Sequence, residues 1–105
     1  MTDSLLTAAI IQAAPVYYDL PATMTKAQDL IHQAANQGAK LITFGETWFP
    51  GYPIWLDYCR DMGLWDHAPT KAVYERLFRN SLSIDSAEMQ QLQTTARQLQ
   101  IALVI

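Results

Sequence analysis

The sequence predicts an α/β protein built around a small parallel sheet. Two observations support this class: half of the 105 residues are hydrophobic, and a strand pattern, a helix pattern and a second strand pattern follow one another between residues 8 and 44. Strands joined by a single helix over this distance normally pair in parallel through a right-handed crossover. We therefore expect one βαβ unit at the start of a compact domain.

The first strand is predicted at residues 8–11, where consecutive apolar residues place apolar side chains on both faces. This pattern is typical of a strand that is covered on both sides. Pro15 ends the segment because proline lacks a backbone donor.

The helix that follows is predicted to begin with Asp19 as its N-cap and Pro21 in its first turn. Gly38 is expected to stop it in a left-handed conformation, and residues 40–44 then form the second strand. Apolar residues recur at spacings of three or four and predict the core-facing stripe, which consists of Met24, Ala27, Ile31 and Ala34.

A long helical connection is predicted before the third strand. Pro53 opens a helix that closes at Gly63, and a further helix covers about residues 70–80. Asp85 and Glu88 have the spacing of a capping box at the start of the next helix.

Residues 101–105 predict a third, buried strand. An apolar strand with no turn or polar tail after it leaves an unpaired edge, so we expect residues 1–105 to be the truncated N-terminal portion of a single larger domain.

Charge and cysteine content argue against several classes. Ten acidic residues against seven scattered basic residues give a net charge of −3, so no nucleic-acid partner is expected. Thr7 and Gln12 interrupt the apolar stretch near the start, which predicts neither a signal peptide nor a membrane association. The single Cys59 allows no internal disulfide and favours a cytoplasmic location.

No cofactor and no metal site are predicted. His32 and His67 have no partner at the spacing of metal ligands. Lys40 precedes the second strand and Lys71 starts a helix, so neither is expected to be a site residue.

Glu46 is the candidate catalytic residue. It follows the C-terminal end of the second predicted strand, which is where the loops of a parallel sheet converge over a ligand-binding crevice. A carboxylate held in such a crevice is a candidate general base. A glutamate after a strand is by itself more often a solvated loop residue, so its neighbours decide the interpretation.

Those neighbours resemble the first signature of the nitrilase superfamily of carbon-nitrogen hydrolases. The start of the sequence, at residues 11–15, also looks like the start of that family. Gly45 and Phe49 depart from the pattern, because the family usually has proline and an aliphatic residue there. The positions that match in order and spacing are Gly38, Leu41, Ile42, Phe44, Glu46, Gly51, Tyr52 and Pro53.

The resemblance implies a four-layer αββα sandwich and a catalytic set of glutamate, lysine and cysteine. The glutamate would accept the thiol proton, the thiolate would attack the nitrile carbon, and the lysine would stabilise the tetrahedral species. Only Glu46 is carried over, since the family's lysine and cysteine lie downstream of Ile105. The chain alone is therefore expected to be inactive. The resemblance also implies that the full-length protein is a homo-oligomer.

The aromatic residues around the signature leave two interpretations open. Trp48, Tyr52 and Trp55 could line a substrate pocket or pack the loop against the sheet, and Tyr52 alone is predicted to bind substrate. Cys59 is predicted to be a buried apolar filler and not the nucleophile.

The sequence leaves three functions open. The nitrilase branch is favoured by the residues after Glu46, with a nitrile as substrate. An amidase or carbamoylase acting on an amide is the alternative within the superfamily. A non-catalytic interaction module that pairs through its apolar edge is the alternative outside it.

Overall fold

The computed structural model describes residues 4–105, which form a three-stranded parallel sheet with four helices. The elements in chain order are β1 (Ala8–Ile10), α1 (Leu20–Asn36), β2 (Leu41–Thr43), α2 (Trp55–Tyr58), a 3-10 turn (Arg60–Gly63), α3 (Ala68–Arg79), α4 (Ala87–Leu99) and β3 (Ala102–Val104). The strands pair in the order β1, β2, β3. The predicted α/β class and the βαβ unit are both confirmed.

One face of the sheet packs against α1 and α4. Ala9, Ile42 and Leu103 lie side by side across the three strands, and Ile42 is completely buried. The two helices contact each other, and Thr95 Oγ1 of α4 donates a hydrogen bond to Gln28 Oε1 of α1 at 2.8 Å. The core therefore lies between this sheet face and one layer of helices.

The other face of the sheet is exposed in this chain. Ile10 of β1 keeps 75% of its surface and Val104 of β3 keeps 52%. The expectation that the first strand is covered on both sides is therefore wrong for residues 4–105, because α1 and α4 both lie on the same side of the sheet.

The predicted limits of α1 are confirmed. Asp19 Oδ1 accepts a hydrogen bond from the Ala22 amide at 3.0 Å, and the proline lies in the first turn. Gly38 follows the helix with φ of 93°, the left-handed conformation that glycine adopts without steric cost. The predicted stripe is buried, together with Leu20 and Thr23.

The segment from Pro53 to Gly63 is not the single helix that its periodicity predicts. Cys59 has φ of −92° and ψ of 111°, which is extended backbone, and it separates the four-residue α2 from the 3-10 turn. Apolar spacing fits one continuous helix, but only tertiary packing decides whether the backbone continues through it.

The two later helices begin close to their predicted positions. α3 starts at Ala68 because a proline occupies its first turn. The N-cap of α4 is Ser86 and not Asp85, since Ser86 Oγ accepts from the Met89 amide at 3.2 Å. Within residues 4–105, no helix is both long and apolar enough to cross a membrane.

Candidate active site

Glu46 lies at the carboxyl edge of the parallel sheet. β2 ends at Thr43, and the Phe44 amide still donates to the Val104 carbonyl at 2.9 Å, so the pairing with β3 continues up to the loop that carries Glu46. The Glu46 side chain is exposed. The predicted position of this carboxylate, just beyond a strand end, is what the structure shows.

Glu46 and Thr47 form the centre of a tight turn. The Trp48 amide donates to the Gly45 carbonyl at 3.2 Å, and Thr47 Oγ1 donates to the Glu46 carbonyl at 2.7 Å. Thr47 has φ of 56°, a left-handed conformation that β-branched residues rarely adopt. Strain of this kind tends to be retained where a functional group must be aimed.

Two buried aromatic residues fix the loop directly after this turn. The Trp48 and Phe49 rings lie 4.7 Å and 5.6 Å from the Phe44 ring, between centroids. Trp48 Nε1 also donates to the Ala13 carbonyl at 2.7 Å, which ties the loop to the segment after β1. Trp48 therefore packs the loop against the sheet, and it also lines an open cavity together with Thr47 and Phe49.

Tyr52 lies on the same loop with its side chain about half exposed. The Tyr52 carbonyl accepts a hydrogen bond from Tyr17 Oη at 3.4 Å. Gly51 has φ of 89°, and a Cβ atom there would lie 2.4 Å from Cε1 of Tyr17. The Tyr17 ring thus packs on a position that only glycine can occupy, and this contact holds the backbone of Tyr52 in place.

Cys59 is exposed, so the expectation of a buried apolar filler is wrong. Periodicity places it beside Tyr58 on a continuous helix, whereas the extended backbone at Cys59 takes its side chain out of the packed interior. A thiol outside the core is accessible to reagents in solution.

Among the remaining polar candidates, the side chains of Lys71 and His32 have local contacts. Lys71 pairs with Asp66, and Lys40 lies at the amino end of β2, where its amide donates to the Thr7 carbonyl at 2.8 Å. His32 Nδ1 lies 2.8 Å from the Gln28 carbonyl. Among residues 4–105 there is no group of three or more histidine, cysteine, aspartate or glutamate side chains that could hold a metal ion.

Comparison with known proteins identifies the class. The profile of the carbon-nitrogen hydrolase family matches residues 7–105. This chain therefore belongs to the carbon-nitrogen hydrolase family, as the resemblance around Glu46 implies.

Several curated relatives of this chain have names that place them in the nitrilase branch of that family. An arylacetonitrilase of Hypocrea virens is 40% identical over 103 residues, which cover 98% of this chain and 29% of the relative. An arylacetonitrilase of Aspergillus niger is 43% identical over 99 residues, covering 92% and 26%. A protein named "nitrilase, arylacetone-specific" from Alcaligenes faecalis is 40% identical over 106 residues, covering 99% and 28%. The chain thus spans a little over a quarter of the length of these curated relatives.

Proposed function

We propose that this chain supplies the general base of a nitrilase, an enzyme that hydrolyses a nitrile to a carboxylic acid and ammonia. The observation that carries the proposal is the position of Glu46, an exposed carboxylate at the carboxyl edge of a parallel sheet. The strained turn at Thr47 and the buried Trp48 hold that position. An accessible carboxylate on an anchored backbone is suited to general-base catalysis.

In the proposed reaction Glu46 accepts the proton of a cysteine thiol, and the thiolate adds to the nitrile carbon to form a covalent thioimidate. A first water adds to that carbon, and ammonia leaves with the former nitrile nitrogen. A second water cleaves the resulting thioester, which releases the carboxylic acid and returns the thiol. The reaction therefore consumes two waters and needs no oxidant or metal in its stoichiometry.

The nucleophilic cysteine and the lysine are proposed to come from sequence outside residues 1–105. Residues 1–105 would then be one portion of a single hydrolase domain. The exposed sheet face around Ile10 and Val104 supports this proposal, because an apolar sheet face is normally covered by a second layer. A second sheet packed there would give the four-layer αββα sandwich.

Tyr52 is proposed to contact the substrate. It is six residues beyond Glu46 on the same loop, and its half-exposed phenol combines an apolar ring with a polar hydroxyl. The names of the relatives favour aryl-substituted nitriles as the substrate class of this protein. An amidase or carbamoylase activity would use the same base on an amide carbonyl.

A chimeric enzyme provides the test. Residues 1–105 replace the matching segment of the Alcaligenes faecalis nitrilase, and hydrolysis of phenylacetonitrile and phenylacetamide is measured by ammonia release. Glu46→Gln should lower turnover by at least about a hundredfold, because the amide keeps the shape of the side chain but cannot accept the thiol proton. Circular dichroism checks that the variant is folded.

Two variants serve as controls. Glu75→Gln changes another exposed glutamate, on α3, and should leave turnover unchanged. Cys59→Ala should not cause a loss comparable to that of Glu46→Gln if the nucleophile lies outside this chain. A folded Glu46→Gln chimera with near wild-type turnover would show that Glu46 is not the base, and faster hydrolysis of the amide than of the nitrile would favour an amidase.

A further inference from the structure

An open cleft lies between the segment after β1, the α2 region and the first turns of α3. Its volume is about 340 Å³ and its surface is mostly apolar. We call it the aromatic cleft, and its principal lining residues are Tyr18, Trp55, Cys59, Asp61, Met62 and Val73. Small-molecule sites span roughly 300–1,000 Å³, so this cleft suits a ligand with one ring better than a large cofactor.

Residues outside the cleft pack against both of its aromatic walls, the rings of Trp55 and Tyr18. The Trp55 ring packs edge-on against Tyr74 of α3, with ring centroids 5.2 Å apart and an interplanar angle of 78°. The Arg76 guanidinium lies over the Tyr18 ring, 5.1 Å from its centroid. Neither Tyr74 nor Arg76 lines the cleft. Walls that are fixed before binding lower the ordering cost that a ligand must offset.

The cleft adjoins the loop that carries the proposed site. Tyr17, the neighbour of Tyr18, packs on Gly51 and donates to the Tyr52 carbonyl. At the other end of the loop, the chain enters α2 at Trp55, which is the second wall of the cleft. The same short segments therefore position both Tyr52 and the aromatic cleft.

The lining favours a neutral aromatic group. Tyr18 and Trp55 offer aromatic surfaces, and the Met62 thioether makes favourable contacts with rings. Asp61 is the carboxylate in the lining, and a carboxylate repels anionic ligands at short range. His67 is engaged locally, because its Nδ1 lies 2.9 Å from Thr70 Oγ1.

From this lining we propose that the aromatic cleft binds the aryl group of a neutral aryl nitrile and rejects the corresponding carboxylate product. The identity of the ligand as a substrate rests on the proposed nitrilase function. Binding itself needs neither Glu46 nor a nucleophile, so the two proposals fail separately.

Cys59 makes binding measurable on the chain itself, because it is the single cysteine of the sequence, is exposed and lines the cleft. Alkylation of the purified chain by iodoacetamide is followed by mass spectrometry at increasing phenylacetonitrile. At ten times its dissociation constant the nitrile should slow alkylation about tenfold, since the rate follows the unliganded fraction. Glu46→Gln should show the same protection.

Two valine variants locate the effect. Val73→Trp places a large ring in the cleft and should abolish protection. Val104→Trp makes the same change on the exposed face of β3 and should keep it. Protection that survives Val73→Trp, or no protection of the wild-type chain up to the solubility limit of the nitrile, would overturn the assignment.

Two ligand comparisons test the chemistry. Phenylacetate has the same ring with a negative charge and should protect poorly, and equal protection would contradict the selection against the product. Hexanenitrile has the nitrile without a ring and should also protect poorly. Equal protection by hexanenitrile would show that the cleft does not recognise an aromatic group.

Discussion

Two regions of the molecule differ in how many residues they bury. One is the sheet with α1 and α4, and the other is the helical connection after Glu46. α1 buries six residues, and Ile31 and Ile42 in this part of the molecule are completely buried. α2 and α3, whose residues the structure describes in full, have no buried residue. The connection is instead attached at a few points, among them Arg76 over Tyr18 and the bond from the Leu20 amide to Asn80 Oδ1 at 2.9 Å.

This difference in burial predicts that the two regions also differ in rigidity. The turn that carries Glu46 is anchored to the sheet through Phe44 and Trp48, whereas the aromatic cleft is formed by the loosely attached connection. Regions with few buried contacts open at low free-energy cost. The backbone around Glu46 is therefore expected to be more rigid than the connection, in which the rings of Trp55 and Tyr18 are held by Tyr74 and Arg76.

The largest effect is expected from the sheet. Ile42→Ala removes a completely buried side chain between the sheet and its helices, and should lower the free energy of unfolding by about 2–5 kcal/mol. Urea denaturation followed by circular dichroism measures it. Ile84→Ala, at a position that is 82% exposed, should change it by less than about 0.5 kcal/mol. Similar losses for the two variants would contradict the placement of the core.

The turn after Glu46 should separate stability from activity. Thr47→Gly relieves about 1–2 kcal/mol of left-handed strain. It also stabilises the unfolded chain by about 0.5–1 kcal/mol, because glycine has more conformational freedom there. The net change in the free energy of unfolding should therefore stay small. Turnover of the chimera should nevertheless fall without a rise in KM, because the turn that aims Glu46 becomes more flexible.

Thr47→Val serves as the matched variant, since it keeps the branched side chain but removes the Oγ1 bond to the Glu46 carbonyl. If both variants leave turnover at the wild-type value, this turn does not position Glu46.

The smallest effect is expected at Gly45. A Cβ atom there would meet no other atom within 4 Å, and its φ lies outside the left-handed region. Gly45→Ala should therefore raise the free energy of unfolding by about 0.4–1 kcal/mol by restricting the unfolded chain. A thermal melt of the two proteins is sufficient, and a lower melting temperature for Gly45→Ala would mean that the turn depends on glycine after all.

Local sequence patterns are sufficient to predict those parts of the molecule in which a single hydrophobic periodicity sets the structure. The stripe containing Met24, Ala27 and Ile31 predicts α1 because a helix on a sheet must bury one face. The position of Glu46 follows in the same way from the strand before it. The spacing of Asp85 and Glu88 predicts the wrong N-cap, because Ser86 has the same capping chemistry one residue later.

Features that depend on distant contacts could not be predicted. The periodicity around Trp55 continues through Cys59, but the backbone does not. Threonine has no preference for the left-handed conformation of Thr47, so that turn leaves no signal in the sequence. The aromatic cleft joins Tyr18 to Val73, residues that are far apart along the chain.

The contact between Tyr17 and Gly51 has a consequence for how this sequence can diverge. A side chain at position 51 would overlap the ring at position 17, with only 2.4 Å between Cβ and Cε1. Replacing the glycine would therefore strain the backbone, whose φ is 89°, and would also require the Tyr17 ring to move or to be exchanged for a smaller residue, which would give up the hydroxyl bond to the Tyr52 carbonyl. A larger residue at position 51 is therefore expected mainly in natural variants that carry a smaller residue at position 17.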